Sequence, residues 1–242
     1  MNRAGPSRRQ FIAWSGLGIA AGIAPGVILV AARPSSAAGV TNAVRWGMLV
    51  DTKRCESGCT ACVDACNREN GLKPAQSETD AQWIRKVEIK DARTGRQASL
   101  PMMCQHCEHP PCVDVCPTGA SFRRADGIVL VDRHICIGCR YCMLACPYKA
   151  RSFVHETLSG QRPEVPRGKG CVEACSFCVH RLDRGHAQPA CVEACNAQAK
   201  GAMLFGDLND KSSEIARRVA TEATRQVRAD LRLNTGVRYL GI

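Results

Sequence analysis

The chain has 242 residues, a formal charge of +11, 45% apolar residues and only 5% aromatic ones. That length has room for one large or two small domains, and so few rings make a lean apolar core. No Cys-x-x-Cys-His occurs among the 17 cysteines, which excludes covalently attached haem.

In chain order, Ser7-Arg8-Arg9-Gln10-Phe11-Ile12 opens an apolar stretch over 12–32, and small residues run to Ala37 and Ala38. This is the pattern of a twin-arginine leader over 1–38, cleaved after Ala38, which predicts a periplasmic protein. An uncleaved membrane anchor is the alternative, although Pro25 and several glycines make the stretch weakly apolar. Residues 44–50 read as a strand and 67–82 as a polar loop. Residues 83–90 alternate with β-branched side chains and read as a strand. Residues 127–131 read as another strand, 157–170 as an exposed linker, and 201–206 as a closing strand. Residues 213–231 have helical spacing, with Ile215, Val219, Ala223, Val227 and Leu231 on one stripe.

The cysteines fall into four groups: Cys55, Cys59, Cys62, Cys66; then Cys104, Cys107, Cys112, Cys116; then Cys136, Cys139, Cys142, Cys146; then Cys175, Cys178, Cys191, Cys195. The third reads CIGCRYCMLACP, the ferredoxin run C-x2-C-x2-C-x3-C-P. Three close thiolates grasp three corners of one cubane, and the fourth, a helical turn on, serves a partner cluster. Pro117 and Pro147 then turn the chain out of the helix. Glycines such as Gly58 and Gly138 let backbone come close to inorganic sulfur. Sixteen thiolates in four quartets predict four [4Fe-4S] clusters and an electron carrier.

Disulfides fit poorly, because three cysteines within seven residues suit one metal centre and the total is odd. Zinc fits groups two and three poorly but remains open for group four alone, with its Cys175-x2-Cys178 and Cys191-x3-Cys195 pairs. Cys171 lies outside the groups; it competes with Cys175 or packs as a small apolar residue. His106, His109, His134 and His180 lie in or beside the groups and are expected to pack or donate hydrogen bonds rather than ligate. No nucleophile–base pair or paired carboxylates stand near a pocket signal, so the chain is expected to be no enzyme by itself. Groups two and three end in Cys-Pro, while groups one and four end in Cys-Asn. This suggests two pseudo-symmetric pairs, an inner one and an outer one that encloses it.

The basic charge needs correction on this reading. Four arginines and no acid lie in 1–38, so the remainder carries +7. Four oxidised cubanes with their thiolates contribute about −8. The excess Lys and Arg then compensate the clusters, and a nucleic-acid role loses its support. An apo form would be largely unfolded, since site and fold form together.

CQHCEHPPCVDVCPTGA, CIGCRYCMLACPYKAR and CSFCVHR followed by PACVEAC resemble the four-cluster ferredoxin-like subunits of polysulfide, dimethyl sulfoxide and nitrite reductase systems, over residues 44–206. RWGMLVDTKRC, GAMLFGDLND and the leader narrow the resemblance to the exported DsrO-type subunits of the DsrMKJOP membrane complex associated with dissimilatory sulfite reductase. The resemblance implies an α+β fold of two ferredoxin-like modules built from β-α-β repeats. The outer module would comprise 40–90 and 165–206 and the inner one 91–160, followed by a C-terminal helical extension over 207–242. It implies crossed ligation: Cys55, Cys59, Cys62 with Cys195; Cys104, Cys107, Cys112 with Cys146; Cys136, Cys139, Cys142 with Cys116; and Cys175, Cys178, Cys191 with Cys66. Group one is C-x3-C-x2-C-x3-C, a residue longer than the family's usual first motif, so the cluster at Cys55 departs most. The implied partners are a multi-span quinone-interacting membrane subunit and a periplasmic multihaem cytochrome c. The alternative is the iron–sulfur subunit of a molybdopterin oxidoreductase.

Overall fold

A computed structural model describes residues 21–24, 27–29, 40–95 and 97–242. Arg8, Arg9 and the expected cleavage site at Ala38 lie outside them. The chain divides into two units, Met1–Gly39 and Val40–Ile242. In the first, strands β1 (Ala21–Ala24) and β2 (Val27–Leu29) pair antiparallel. Among the described residues no helix is long and apolar enough to cross a membrane.

The second unit is built around β3 (Trp46–Asp51), whose Met48, Leu49 and Val50 are all buried. A strand buried on both faces reads as a continuous apolar run, and this one is the inner strand of a four-stranded sheet. Its neighbour β10 (Met203–Asp207) runs antiparallel, with Met203 opposite Val50. On the other side β12 (Val237–Leu240) runs parallel, with Val237 opposite Met48, and β11 (Thr224–Arg225) closes the edge.

Three two-stranded hairpins hold the inner half. Strands β4 (Ile84–Lys90) and β5 (Gln97–Met103) pair over seven residues each. Strands β6 (Ser121–Arg123) and β7 (Val129–Val131) form the second hairpin, and β8 (Arg151–Phe153) and β9 (Val172–Ala174) the third. Helix α1 (Ala61–Asn70) packs against α5 (Ala190–Gln198), and α2 (Pro111–Asp114) against α3 (Tyr141–Ala145). Helix α4 (Val179–Leu182) is a single turn after Cys178.

Several expectations need correction. The polar stretch expected as a loop from 67 is helical to Asn70, and Gly71 ends it in the left-handed region at φ 64°, its N–H donating to Asn67 O. The stretch over 157–170 forms no helix or strand, but it is not simply exposed: Val165 is buried, and Arg167 forms a buried ion pair with Glu173. The C-terminal helix stops early. Ser213 caps α6 (Glu214–Thr221) by accepting from Ala216 N, and Ile215 anchors it to the sheet. Glu222 is extended, Arg228, Arg232 and Asn234 adopt positive φ, and the chain returns as β12. Val237 and Tyr239, two apart, are fully buried beside β3. Alternation at period two, rather than the helical stripe, governs this segment. The expected helical extension is therefore partly a sheet component.

The expected module boundaries are also bridged. The β4–β5 hairpin straddles residues 90 and 91, and β8–β9 joins 151–153 to 172–174. Residues 40–242 form one unit.

Candidate functional site

The short helices bring the cysteines together in crossed sets. Cys62 and Cys66 lie on α1, Cys191 and Cys195 on α5; Cys112 and Cys142 lie on α2 and α3, with Cys116 and Cys146 just after them. Quartet one, Cys55, Cys59, Cys62 and Cys195, lines a single cavity with Ala202 and Met203. Quartet three, Cys116, Cys136, Cys139 and Cys142, lines another with Gly138 and Val172. In quartet two, Cys104 and Cys107 both interact with Cys112 and Cys146. In quartet four, Cys191 interacts with Cys66, Cys175 and Cys178. The cysteines of quartets one and three line shared cavities, and those of quartets two and four are electrostatic neighbours.

Electrostatic neighbours across the sets give an order. Cys62 of quartet one interacts with Cys191 of quartet four. Cys175 of quartet four interacts with Cys104 of quartet two. Cys112 of quartet two interacts with Cys142 of quartet three. The sequence one, four, two, three follows.

Burial pushes the Cys62 and Cys107 thiols up to about 12, and neighbouring thiols of the same quartet add to this. Burial likewise drives Cys66, Cys104, Cys175 and Cys191 well above the usual thiol range. Such sites favour neutral thiols until a cationic centre takes the proton's place; a coordinating thiol is deprotonated outright. At Cys116 burial opposes ionisation, but the Ser121 N–H and Thr118 outweigh it and hold the thiol below its usual value.

Donors already point at several sulfurs. Lys86 Nζ lies 3.1 Å from Cys55 Sγ and Asn70 Nδ2 3.5 Å from Cys66 Sγ. Arg151 Nη2 donates to Cys112 Sγ at 3.0 Å, and Ala202 N to Cys195 Sγ at 3.3 Å. Burial disfavours the Arg151 charge, but Cys112, Cys104 and Cys142 raise its pKa above the usual guanidinium value. Other buried polar atoms near the quartets have no hydrogen-bond partner: Tyr148 Oη, which sits near Cys107 and Cys146, and Arg151 Nε and Nη1. Orphaned donors of this kind suit an added acceptor such as inorganic sulfide.

These residues fit cubane clusters better than zinc. A single ion draws four sulfurs to about 2.3 Å from one point. Among the described residues no three His, Cys, Asp or Glu side chains converge in that way. The thiols of quartets one and three instead line cavities. Gly138 shows how tightly the loop is wound: its φ is 71°, and a Cβ there would come within 2.2 Å of Gly170 O. The conformation admits glycine for both reasons. His106, Arg140, Lys149, Phe177 and Cys178, all in or beside cysteine groups, also adopt positive φ. Backbone strain of this kind concentrates at binding sites.

The spare Cys171 lies outside quartet four. It is buried, donates to Arg133 O at 3.3 Å, and has Cys136 as an electrostatic neighbour. His106 is buried against Phe177, with ring centroids 3.7 Å apart, and its Nδ1 accepts from Val129 N. Burial and Arg151 pull its pKa down to about 3, so it is neutral; with Nδ1 accepting, the proton sits on Nε2, a buried donor without a partner, and the ring packs as the sequence led us to expect. His180 Nε2 meets Glu69 at 2.8 Å, while His109 and His134 are exposed. Sequence reasoning missed Lys86, Asn70, Tyr148 and Arg151. Asn70, one helical turn after Cys66, and Tyr148, two residues after Cys146, had a local signal; Lys86 and Arg151 had none, since the sulfurs they meet are remote in sequence.

Comparison with known proteins supports this assignment. Residues 96–208 match the family model described as a 4Fe-4S dicluster domain. The chain is 40% identical to the Hdr-like menaquinol oxidoreductase iron-sulfur subunit 1 of Archaeoglobus fulgidus, over 96% of this chain and 97% of that one. It is 38% identical to Protein NrfC of Escherichia coli, over 90% of this chain and 87% of that one. It is 41% identical to a tetrathionate reductase subunit of Salmonella typhimurium, over 71% of this chain and 62% of that one. With its cysteine-lined cavities and this relatedness along nearly its whole length, the chain belongs to the family of iron–sulfur electron-transfer subunits, not catalytic ones, that serve membrane-associated oxidoreductase complexes.

Proposed function

We propose that the chain binds four [4Fe-4S] clusters and serves as a one-electron conduit within a membrane-associated, DsrMKJOP-type complex of sulfur metabolism. The ligands are Cys55, Cys59, Cys62 and Cys195; Cys104, Cys107, Cys112 and Cys146; Cys136, Cys139, Cys142 and Cys116; and Cys175, Cys178, Cys191 and Cys66. The β-α-β arrangement is read as two ferredoxin-like repeats, now interlocked. The observation that carries this reading is the crossed assembly: each set combines three cysteines from one group with one from another, as partnered cubanes require. When bound, each cluster accepts and releases one electron. The protein's part is to hold the thiolates, exclude water from them and aim Lys86, Asn70, Tyr148 and Arg151 at the sites.

The two ends of the quartet order differ. At quartet three, Cys139 is exposed, and Val115, Ile135, Ile137, Tyr141 and Leu144 stand exposed in the same two cysteine groups, Leu144 at 83% and Ile137 at 67%. Surroundings of this kind suit a lasting protein interface, and we assign this end to a multi-span quinone-interacting membrane subunit. At quartet one the surroundings are charged, with Glu56, Lys86 and Lys200. That end is assigned to a water-soluble partner, a periplasmic multihaem cytochrome c. The chain is placed in the periplasm, exported by the twin-arginine route; the support for this is the Arg8-Arg9 motif. A molybdopterin oxidoreductase is the alternative setting, and co-purification of a molybdenum subunit rather than a cytochrome would establish it.

The test is metal analysis of the anaerobically purified full chain. About sixteen iron per chain is expected, with cubane signals in electron paramagnetic resonance after reduction. Zinc in their place, or less than about half that iron, would refute the reading.

A further inference from the structure

Arg151 lies in β8 with only 5% of its surface exposed. Its Nη2 donates to Cys112 Sγ at 3.0 Å and to Ser121 Oγ at 2.7 Å, while its Nε and Nη1 have no partner. Its acidic neighbours are thiols from two quartets, Cys112 and Cys104 of quartet two and Cys142 of quartet three. Among the described residues it forms no ion pair with a carboxylate. A guanidinium does not give up its proton in a protein, and a buried charge without a counter-charge is costly. Two half-buried arginines are compensated in the ordinary way: Arg167 by Glu173, and Arg124 by Asp126 and Asp183. Arg151 is left to the thiolates.

We propose that Arg151 is the counter-charge shared by the clusters of quartets two and three and holds the reduction potentials of both up, from its place between the Cys112 and Cys142 thiols. An electron added to either cluster adds negative charge beside a fixed positive one. That favours the reduced form without any bond or proton changing place. Arg151 is a positioning and tuning residue, since it touches thiolate sulfur and not a substrate. The inference rests on the four-cluster reading above.

The test is a mediator-controlled redox titration of the full chain followed by electron paramagnetic resonance, in Arg151→Gln and Arg151→Lys, with iron content measured first. In Arg151→Gln two of the four midpoints fall. At a fixed potential near each of them the reduced-to-oxidised ratio drops at least tenfold, a 59 mV shift for one electron. The other two midpoints stay at their wild-type values. A lysine ammonium is a point charge that cannot serve thiols of both quartets at once, so Arg151→Lys lowers at least one of the same two. If Arg151→Gln fails to load iron, Arg151→Lys carries the test alone. Loaded Arg151→Lys with four wild-type midpoints overturns the proposal, as does an equal shift of all four. A wild-type chain without cubane signals overturns the four-cluster reading instead.

Discussion

At the scale of single residues, what distinguishes the sites is the supply of positive charge and hydrogen-bond donors to sulfur. Group one is the group with an inserted residue, and its Cys55 is where Lys86 reaches in, while also donating to Glu56 O at 2.9 Å. The ammonium therefore ties the longer loop to β4 and places charge on the sulfur. Hydrogen bonds to cluster sulfurs and local charge both raise reduction potential. Lys86→Gln is expected to lower one midpoint, that of quartet one, and leave three unchanged, as read by redox titration. The shift should be smaller than that of Arg151→Gln, because Lys86 is partly solvated and screened.

At the scale of elements, helix α1 and strand β12 are fastened by partners far away in sequence. Glu69 at the end of α1 accepts from His180 and Arg181 of α4, linking groups one and four. Burial raises its pKa, but the hydrogen bond from His180 and the charge of Arg181 outweigh it and hold the carboxyl below its usual value. A carboxylate with a depressed folded pKa stabilises fully above its unfolded value and loses that contribution as pH falls through the folded one. Glu69→Gln should therefore speed the bleaching of visible absorbance several-fold at pH 7. The difference from wild type should shrink as pH falls below the ordinary glutamate value and on through the depressed folded one, where the wild-type carboxylate takes up its proton and the glutamine has none to take. Strand β12 is the second fastening. It lies between β3 and β11, and Tyr239 Oη donates to Pro101 O at 3.0 Å while accepting from Gln105 Nε2 at 3.2 Å. Removing residues 237–242 exposes β3 along one whole edge and leaves these buried groups unpaired. Loss of soluble, iron-loaded protein is the expected outcome, measured as iron per chain in the soluble fraction.

At the scale of the whole molecule, the cysteines are part of the core. Cys62, Cys66, Cys104, Cys107, Cys112, Cys142, Cys175, Cys191 and Cys195 share one buried cluster with Trp83, Met48 and Tyr239. With so few aromatic rings, the apolar residues alone make a thin interior, and metal ligation supplies cross-links between loops. The quartet order gives the molecule a direction in space, with an apolar end at quartet three and a charged end at quartet one. Leu144→Asp places a charge on the apolar end without touching a ligand. It should leave iron per chain unchanged and reduce recovery of the chain with the membrane fraction at least tenfold. Unchanged recovery would refute the assignment of that end.

Cysteine spacing determined, by itself, the cofactor class and the four groups. Apolar patterning determined the strands at 44–50, 83–90, 127–131 and 201–206, all of which correspond to strands in the structure. These were legible because thiolate chemistry and β-branched alternation are local signals. Tertiary structure alone decided the rest. The stripe from Ile215 to Leu231 is as good a helix as any in isolation, yet the chain beyond Thr221 leaves it, because Val237 and Tyr239 bury more completely beside β3. Arg151 and Lys86 read as ordinary cations, and only the fold shows that their neighbours are thiols rather than water. Local pattern sets which residues can bind iron; non-local packing sets the charge, burial and order in which they are held, and those are the quantities that govern where an electron rests.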